Sequence, residues 1–409
     1  MMQKSFVFQM CLGQIGNLLP HVVVPAVMTA HLIPEWGLTN TEAGLLAAAY
    51  AVGYMAAVPV LSALTDRFDA KGILFWGSLA STLATLGFGI FAKAYGIALL
   101  FWALAGAGFA GAYMPGLRAL TDRLDPGDSS RSVTFYTSSF SLGVGLSFLV
   151  SQCIADAFGW RWAFVITGLG PLWMVRCAWG MQAKPPPPPS AALLDFRPVL
   201  RNRPAMGFIL SYGAHCFELY GIRTWIVAFW TFVIHQQAAR DGLMQNLAGW
   251  ITPMIVSVLF TVLAMPASIA GNELSIRFGR HRAIPAIQFA SGAIAFLIAM
   301  NADGSMLILL PLILLYALTV PADSGSLTSG MSASADLRYR GATLAMHSTV
   351  GFGLSALAGW LLGLCLDAFG GAMQAQAWQA AFVLLSCSIL FGPLALRLGK
   401  RDANTAKSQ

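Results

Sequence analysis

The chain has 409 residues, of which 57% are hydrophobic and 10% are charged, whereas an average soluble domain has about 45–50% apolar and about 25% charged residues. This composition excludes a soluble enzyme, a nucleic-acid-binding protein and a disordered scaffold. The net charge of +7 does not indicate nucleic-acid binding, because Lys and Arg form short clusters between apolar runs, a pattern typical of membrane orientation.

Twelve apolar runs bounded by charge, Gly or Pro follow one another along the chain. Each is long enough for a transmembrane helix, which needs about 20 residues. They cover residues 6–32, 41–64, 72–93, 95–121, 132–157, 161–182, 205–235, 246–272, 283–302, 305–332, 342–368 and 377–398. The sequence therefore predicts an all-α integral membrane protein with twelve transmembrane helices.

The longest break between these runs is residues 183–204. It contains the run Pro185–Pro189 and three arginines, and consecutive prolines favour a stiff, extended segment that cannot join the helices on either side. We therefore predict three parts, an N-terminal six-helix half at 1–182, a cytoplasmic linker at 183–204, and a C-terminal six-helix half with a short tail at 205–409.

The basic residues predict how the spans are oriented. If the N-terminus is cytoplasmic, all but four of the 24 Lys and Arg residues lie on or next to the cytoplasmic side. The four are Lys93, Arg161, Arg223 and Arg240. The positive-inside rule therefore predicts that the linker and both termini are cytoplasmic.

Short strings recur in the same order in the two halves. Gly143-Val144-Gly145-Leu146-Ser147 recurs as Gly351-Phe352-Gly353-Leu354-Ser355, and Asp156-Ala157-Phe158-Gly159 recurs as Asp367-Ala368-Phe369-Gly370. The pair Arg67-Phe68 recurs as Arg277-Phe278. Several matches at nearly one offset indicate a duplicated six-helix unit in parallel orientation, related by an axis along the membrane normal.

The loop between the second and third spans carries a charged motif. It reads Ser62-Ala63-Leu64-Thr65-Asp66-Arg67-Phe68-Asp69-Ala70-Lys71 and resembles the signature of the major facilitator superfamily, which is Gly, three residues, Asp-Arg, one residue, Gly and two basic residues. Asp66, Arg67 and Lys71 match, whereas Ser62 and Asp69 replace glycines and Ala70 replaces a basic residue. A second copy, Gly271–Arg280, keeps the glycine and the basic residues but has Ile276 in place of the acid.

This resemblance implies two six-helix halves around a central cavity that opens to each side in turn. It also implies gating roles for the two loops, through Asp66, Arg67 and Lys71 in the first copy and Glu273, Arg277 and Arg280 in the second. The chain loosely resembles the nitrate/nitrite-porter-like branch, but it lacks that branch's arginines in the second and eighth spans. We therefore do not predict nitrate as the substrate.

Ionisable side chains inside the spans indicate the candidate site, because a charge at the bilayer centre costs about 2.5–3.5 kcal/mol even on the insertion scale. There are six of them, namely His21, His215, Glu218, Arg223, Asp323 and His347. The resemblance implies that the first, fourth, seventh and tenth spans line the cavity, so five of the six lie on or beside cavity helices.

The seventh span carries three of the six. At about 100° per residue, Glu218 and Arg223 flank His215, so all three are able to face one broad cavity. We predict that Arg223 binds an anionic group, because a guanidinium matches carboxylate or phosphate bidentately. Further substrate contacts are predicted for His215, Tyr212, Tyr220 and His21.

Proton coupling is predicted for Glu218 and for Asp323, which follows Pro321 in a polar and broken stretch of the tenth span. Structural alternatives stay open at this point. One is that Glu218 pairs with Arg223 or with His215 only to neutralise its charge. Another is that Asp323 pairs with a loop arginine near the cytoplasmic mouth. A third is that His21 and His347 only pack against neighbouring helices.

The functional prediction is a proton-coupled secondary transporter that moves a small organic anion by alternating access, as a symporter, across a bacterial-type cytoplasmic (inner) membrane. The sequence contains no Gly-x-x-x-x-Gly-Lys-Ser/Thr string, so we do not predict transport driven by nucleotide hydrolysis. We also expect no enzyme activity, cofactor, metal or nucleic acid. The expected partners are the solute, protons and membrane lipid, and the expected state is a monomer. The alternatives are proton-driven efflux of lipophilic cationic or neutral compounds, and a receptor or enzyme that has adopted the fold.

Overall fold

The computed structural model describes residues 2–124, 129–184, 186, 195–238 and 249–405. Within these ranges the regular structure is helical and no strand occurs, which confirms the predicted all-α class. Of the proline run, Pro185 and Pro187–Pro189 lie outside the described residues, as does Arg240.

The N-terminal helices are α1 (Met2–Leu18), α2 (Val23–Val27), α3 (Ile33–Trp36), α4 (Asn40–Leu64), α5 (Ala70–Phe91), α6 (Tyr95–Thr121), α7 (Ser129–Phe158), α8 (Trp160–Gly168) and α9 (Leu172–Gly180). The C-terminal helices are α10 (Arg197–Arg201), α11 (Arg203–Ala238), α12 (Pro253–Val262), α13 (Ala264–Phe278), α14 (Arg280–Met300), α15 (Met306–Thr319), α16 (Ser324–Ser334), α17 (Arg340–Ala368), α18 (Ala375–Ile389) and α19 (Phe391–Thr405). A π-helical turn, Met28–Leu32, precedes α3, and 3-10 turns occur at Val320–Asp323 and Leu337–Tyr339.

Ten segments of the described chain are long and apolar enough to cross a membrane, and a bent pair, Lys4–Leu18 with Val23–Trp36, makes an eleventh. The predicted sixth span differs from its expectation, because it consists of α8 and α9, which have nine residues each. The break contains Gly170 and Pro171, and proline has no N–H to donate to the preceding turn. If α8 and α9 together form one broken span, the spans number twelve.

Proline also explains two other breaks. The first span bends by 51° between its two parts, and Pro20 lies in the connecting turn. The tenth span changes to a 3-10 turn at Val320–Asp323, which contains Pro321, and a break in this stretch is what the sequence predicts.

The eighth span begins and ends later than predicted. It runs over Pro253–Phe278 instead of 246–272, because Pro253 at the first helical position follows Thr252, whose side chain accepts a hydrogen bond from the Ile255 N–H. This is an ordinary helix N-terminus. Residues 246–248 of the predicted span lie outside the described residues.

The chain forms two compact units. Unit 1 comprises residues 1–27, 49–196 and 337–349, and unit 2 comprises residues 28–48, 197–336 and 350–409. Helices α4 and α17 each contribute residues to both units. The boundaries of the predicted halves, 1–182 and 205–409, stay predictions.

Candidate functional site

Helix α11 positions the three ionisable residues of the seventh span in unit 2. It is unbroken over 36 residues, because no proline follows Pro204 until Pro253. His215, Glu218 and Arg223 are all buried, and Arg223 is 3% exposed. A buried ionised group has to be paired or hydrogen-bonded, or it destabilises the fold, so their contacts define the site.

His215 contacts Asp323, the acid at the 3-10 turn of the tenth span. His215 Nδ1 lies 2.6 Å from Asp323 Oδ1, and the two atoms lack hydrogen-bond angles, so the contact is attractive through charge when the imidazole is protonated. Gln288 on α14 donates from Nε2 to Asp323 Oδ2 at 2.7 Å and to Ser211 Oγ at 3.1 Å. Among the described residues no arginine forms an ion pair with Asp323, which is the alternative that the sequence leaves open.

Glu218 faces α14 and α15. Ser291 Oγ donates to Glu218 Oε1 at 2.5 Å, and the Tyr316 hydroxyl donates to the same oxygen at 3.0 Å. Glu218 Oε2 is buried and has no hydrogen-bond partner in the described part of the chain. Among the described residues Glu218 forms no ion pair with Arg223 or with His215, so the self-neutralising pairs left open by the sequence do not occur.

Arg223 forms no ion pair with Glu218 or with Asp323 among the described residues. Its guanidinium carbon is 5.1 Å from the centroid of the Tyr220 ring, which is within the range of a cation–π contact. Its Nε is buried without a hydrogen-bond partner, and no described acid pairs with it. The Tyr212 ring stacks on His215 with centroids 5.5 Å apart, and Tyr220 contacts Phe352 at 5.8 Å.

The remaining predicted substrate residue, His21, belongs to unit 1. Its ring lies 5.1 Å from Tyr50, 5.3 Å from Phe109 and 5.5 Å from Phe140, measured between centroids. His347 is buried in α17, also within unit 1. The described residues contain no group of three or more His, Cys, Asp or Glu side chains that could hold a metal ion.

The motif loop of unit 1 forms an ion-pair cluster. Asp66 Oδ1 lies 3.6 Å from Arg118 Nη1, and Arg118 Nε also contacts Asp122 at 2.8 Å. Lys71 Nζ donates to the carbonyl oxygen of Met181 at 2.6 Å. Arg67 is exposed. Two of the three predicted gating residues of this loop therefore tie it to the ends of neighbouring helices.

Asp69, which replaces a family glycine, is the centre of a second set of contacts. Its carboxylate accepts from Arg123 Nη2 at 2.8 Å through both oxygens, from the Lys184 N–H at 2.7 Å and from the Lys71 N–H at 3.0 Å as the cap of α5. Burial alone would raise the pKa of Asp69, but these hydrogen bonds and the charge of Arg123 outweigh it and lower the pKa from its ordinary value. The sequence carried the signal, because Asp before a helix is a preferred cap.

The second copy of the motif has a different character. Gly279 ends α13 with a φ of +84°, where a glycine is favoured. Glu273 is exposed and forms no ion pair among the described residues, and the Arg277 guanidinium lies 5.5 Å from the ring of Phe278. Arg280 begins α14. With Ile276 in place of the acid, this copy has no counterpart of the Asp66–Arg118 ion pair among the residues that the structure describes.

A contact absent from our sequence predictions joins the end of α17 to the start of α4, within unit 2. Asp367 accepts hydrogen bonds from the backbone N–H groups of Asn40 at 3.1 Å and Thr41 at 2.7 Å, and from their side chains at 2.7 Å and 2.6 Å. Nearby, a Cβ atom at Gly44 would clash with the carbonyl oxygen of Gly359. We call this set of contacts the Asp367 clasp.

The chain is similar to known membrane transporters. The family model described as Major Facilitator Superfamily matches residues 10–252. Protein spinster homolog 3 of Danio rerio is 26% identical over 256 residues, which are 57% of this chain and 49% of that protein. The probable anion transporter 4, chloroplastic, of Oryza sativa subsp. japonica is 24% identical over 377 residues, covering 85% of this chain and 60% of that protein. The chain thus spans about half the length of these relatives.

A solved structure shows the same fold. The crystal structure of a bacterial homologue of the human lysosomal transporter Spinster, inward-facing and unoccupied, has a TM-score of 0.71 at 17% identity and covers 97% of this chain and 95% of that chain. The matched family is one of transporters, which favours transport over catalysis, and the apolar helices and this fold make the chain an integral membrane protein. Because the family model covers more than half of its residues, the chain belongs to the Major Facilitator Superfamily.

Proposed function

We propose that the protein is a secondary active transporter that moves a small organic anion and couples its movement to protons. The observation that carries the anion is Arg223, which is buried with 3% of its surface exposed and has no acidic partner among the described residues. A buried cation that lacks a counter-charge is costly, and a carboxylate or phosphate on the solute supplies both the charge and the planar acceptor that a guanidinium matches. The anion-transporter name of the rice relative agrees with this proposal.

Protons bind to the acids that Arg223 does not neutralise. Asp323 and Glu218 have separate hydrogen-bond partners, so the solute anion and the proton have different places to bind within unit 2. A proton on either carboxylate removes a buried negative charge, and occupation of Arg223 by an anion then favours uptake of that proton. Mutual strengthening of this kind is what symport requires.

The second candidate is efflux of lipophilic cations or neutral compounds. It is favoured by the two buried acids and by aromatic side chains such as Tyr212 and Tyr220. A cation, however, would be repelled by Arg223 unless that charge were neutralised, and Glu218 does not pair with it. We therefore place the anion first.

The test is transport by the purified protein in proteoliposomes, with a panel of labelled carboxylates, organic cations and neutral drugs. Arg223→Lys should lower anion affinity at least tenfold, because the charge remains but the fork is lost, and Arg223→Ala should nearly abolish binding. Arg161→Ala, which removes an arginine that stacks on Trp160, is the control and should transport anions normally. Normal transport of cations or neutral drugs by Arg223→Ala, with no anion transported by the wild type, would instead establish efflux.

The same proposal includes the location and the gates. We propose an inner-membrane monomer with cytoplasmic termini, surrounded by lipid, with Asp66, Arg67 and Lys71 of the first loop and Glu273, Arg277 and Arg280 of the second in gating roles. The cluster around Asp66 and Lys71 supports a gating role for the first loop. Because Glu273 has no ion pair among the described residues, fewer ion pairs of the second loop have to break when the transporter opens.

A further inference from the structure

A groove lies between α1 and α9 on the surface of unit 1, and its cavity has a volume of about 760 Å³. Phe6 and Met10 of α1 line it, as do Leu172 and Val175 of α9. Phe75 of α5 also contributes to the lining. Because these side chains are apolar, this part of the groove is suited to hydrocarbon and not to water. We call it the α1–α9 groove.

Direct contacts between the two helices fix the shape of the groove. Cys177 Sγ donates a weak hydrogen bond to the Gln9 carbonyl oxygen at 3.6 Å, and both residues belong to the lining. Further along α1, a Cβ atom at Gly16 would clash with the Gly170 carbonyl oxygen, so the two backbones touch there. The groove is therefore built entirely by packed helices of unit 1 and does not depend on where unit 2 lies.

The groove reaches the ends of both helices. Ser5 near the start of α1 and Gly180 at the end of α9 are part of its lining, and it extends from there to Leu172, about 12 Å along α9. Trp179 is 77% exposed, and its ring lies 5.8 Å from that of Phe75. Tryptophan is enriched where a membrane meets water, so the groove runs from that interface into the apolar layer.

The outer end of the groove is positively charged. Arg176 lines it and is exposed, and no acid of the described chain forms an ion pair with this arginine. Lys71 Nζ donates to the carbonyl oxygen of Met181, a lining residue, at 2.6 Å. Lys4 is exposed and directly precedes Ser5. None of the residues that line the groove is Asp or Glu, so a negative group at this end would meet cations alone.

We propose that the α1–α9 groove binds one anionic phospholipid, with its phosphate on Arg176 and an acyl chain along the apolar walls. A guanidinium matches a phosphate bidentately, and basic pockets between transmembrane helices are typical sites for anionic headgroups. Phosphatidylcholine fits less well, because its positive choline would come close to Lys71 and Lys4. The inference concerns a resident lipid and does not depend on which solute is transported.

A second groove of unit 1 provides a comparison. It has a volume of about 880 Å³ and apolar walls that include Val60. Its one charged lining residue is Asp69, whose carboxylate binds Arg123. Both grooves offer hydrocarbon a surface, but this second one offers an anionic headgroup no cation in its lining. Val60 is therefore a suitable position for a control variant.

The test of the charge is competition between two lipids. The purified protein in detergent is mixed with equal amounts of dioleoyl phosphatidylglycerol and dioleoyl phosphatidylcholine, and the retained lipid is identified by native mass spectrometry. We expect the wild type to retain one phosphatidylglycerol with at least a fivefold preference, which is about the effect of one basic residue at an anionic lipid surface. Arg176→Gln should lose this preference, and Arg176→Lys should keep part of it.

The matched control is Arg201→Gln, which removes the same charge from an exposed position of α10 and should keep the full preference. An equal loss in Arg201→Gln would show attraction to the basic surface in general, with Arg176 only reaching toward bulk headgroups, and would overturn the proposal. A wild type without a preference would overturn it as well.

The test of the apolar walls fills the groove without changing its charge. Val175→Phe should lower the retention of phosphatidylglycerol at least fivefold, whereas Val60→Phe in the second groove should leave it unchanged. Unchanged retention in Val175→Phe would contradict a bound acyl chain. This variant also tests the groove independently if Arg176→Gln fails to fold.

A melting experiment distinguishes a lipid from a free anion, since a ligand of the folded state raises the melting temperature. Added phosphatidylglycerol should raise the melting temperature of the wild type but not that of Arg176→Gln. Sodium phosphate at the same concentration should raise neither. An equal rise with phosphate would show an anion site that needs no acyl chain and would contradict the proposal.

Discussion

Asp69 shows how one substitution in a family motif changes local chemistry. The carboxylate that stands in place of a glycine caps α5 and binds Arg123 and the Lys184 N–H. A glycine at this position provides none of these contacts. In this protein, therefore, part of the loop's attachment depends on a charge that the family pattern lacks.

We predict that Asp69→Asn lowers stability at neutral pH by about 1–3 kcal/mol, the range for hydrogen bonds to a charged group, with the low end favoured because Asp69 is only partly buried. Since the pKa of Asp69 is lowered in the folded protein, its contribution is complete above the ordinary aspartate pKa and is lost as the pH falls through the lowered pKa. Melting curves of both proteins in nanodiscs from pH 7 to pH 3 should therefore converge at the acid end. Asp69→Gly should behave like Asp69→Asn, and an equal difference at every pH would contradict this account.

Glu218 is the residue at which we test proton coupling. Glu218→Gln removes the charge but keeps the size of the side chain, so it should abolish pH-driven accumulation of the best-bound anion while downhill exchange continues. Tyr316→Phe, which removes one donor to Glu218, should keep accumulation and change its pH profile. Proteoliposomes with an imposed pH gradient provide the measurement. Unchanged accumulation in Glu218→Gln would exclude this acid, and equal driving by sodium would exclude the proton.

At the scale of the helices, periodicity and proline predicted most of what the structure shows. The helix of the tenth span is interrupted at Pro321 as expected, and the first span bends in the turn that holds Pro20. The sequence predicts the sixth span as one helix because the apolar run continues across Gly170 and Pro171, where the helix is interrupted. The start of the eighth was placed too early because apolar residues continue upstream of its N-terminal cap.

The Asp367 clasp leads to a prediction about α4 and α17. One carboxylate accepts from two backbone and two side-chain donors, so Asp367→Ala should leave the first N–H groups of α4 without this partner. We expect spin labels at Leu45 and Leu364, both exposed, to show a second, longer distance that the wild type lacks, measured with the native cysteines replaced.

The matched control is Asp156→Ala, because Asp156 is the counterpart of Asp367 in the sequence repeat. It should leave the distance between the two labels unchanged. If Asp367→Ala also gave a single distance equal to that of the wild type, the glycine contacts alone would be holding α4 against α17 and the clasp would be dispensable.

For the whole molecule, the sequence predicted the class, the family and the buried ionisable residues, because these depend on composition, repeats and a motif. The sequence does not predict which residues form hydrogen bonds with the buried ionisable side chains. The sequence does not single out Gln288, Ser291 and Tyr316, since their role depends on contacts between helices far apart in the chain, and no periodicity in one sequence reports such contacts. For the same reason, the sequence leaves a Glu218–Arg223 pair open, and only the contacts of the described residues argue against it.

The orientation of the molecule in the membrane follows from its basic residues and is still a prediction. Alkaline phosphatase, which is active only outside the cytoplasm, should be inactive when fused after Lys184 and active when fused after Lys93. A cytoplasmic reporter should give the opposite pattern. Activity of the phosphatase after Lys184 would reverse the assignment of sides and with it the location of the Asp66 loop.

Helix α14 holds both buried acids of unit 2 from one surface, since Gln288 binds Asp323 and Ser291 binds Glu218. The two residues are three positions apart, a rise of about 4.5 Å along the helix. Any sliding or rotation of α14 consequently alters both carboxylates in the same movement, and neither acid can lose its partner through that helix without the other being disturbed. A movement of the ninth span therefore changes the hydrogen bonding of the two acids together, and not that of one acid alone.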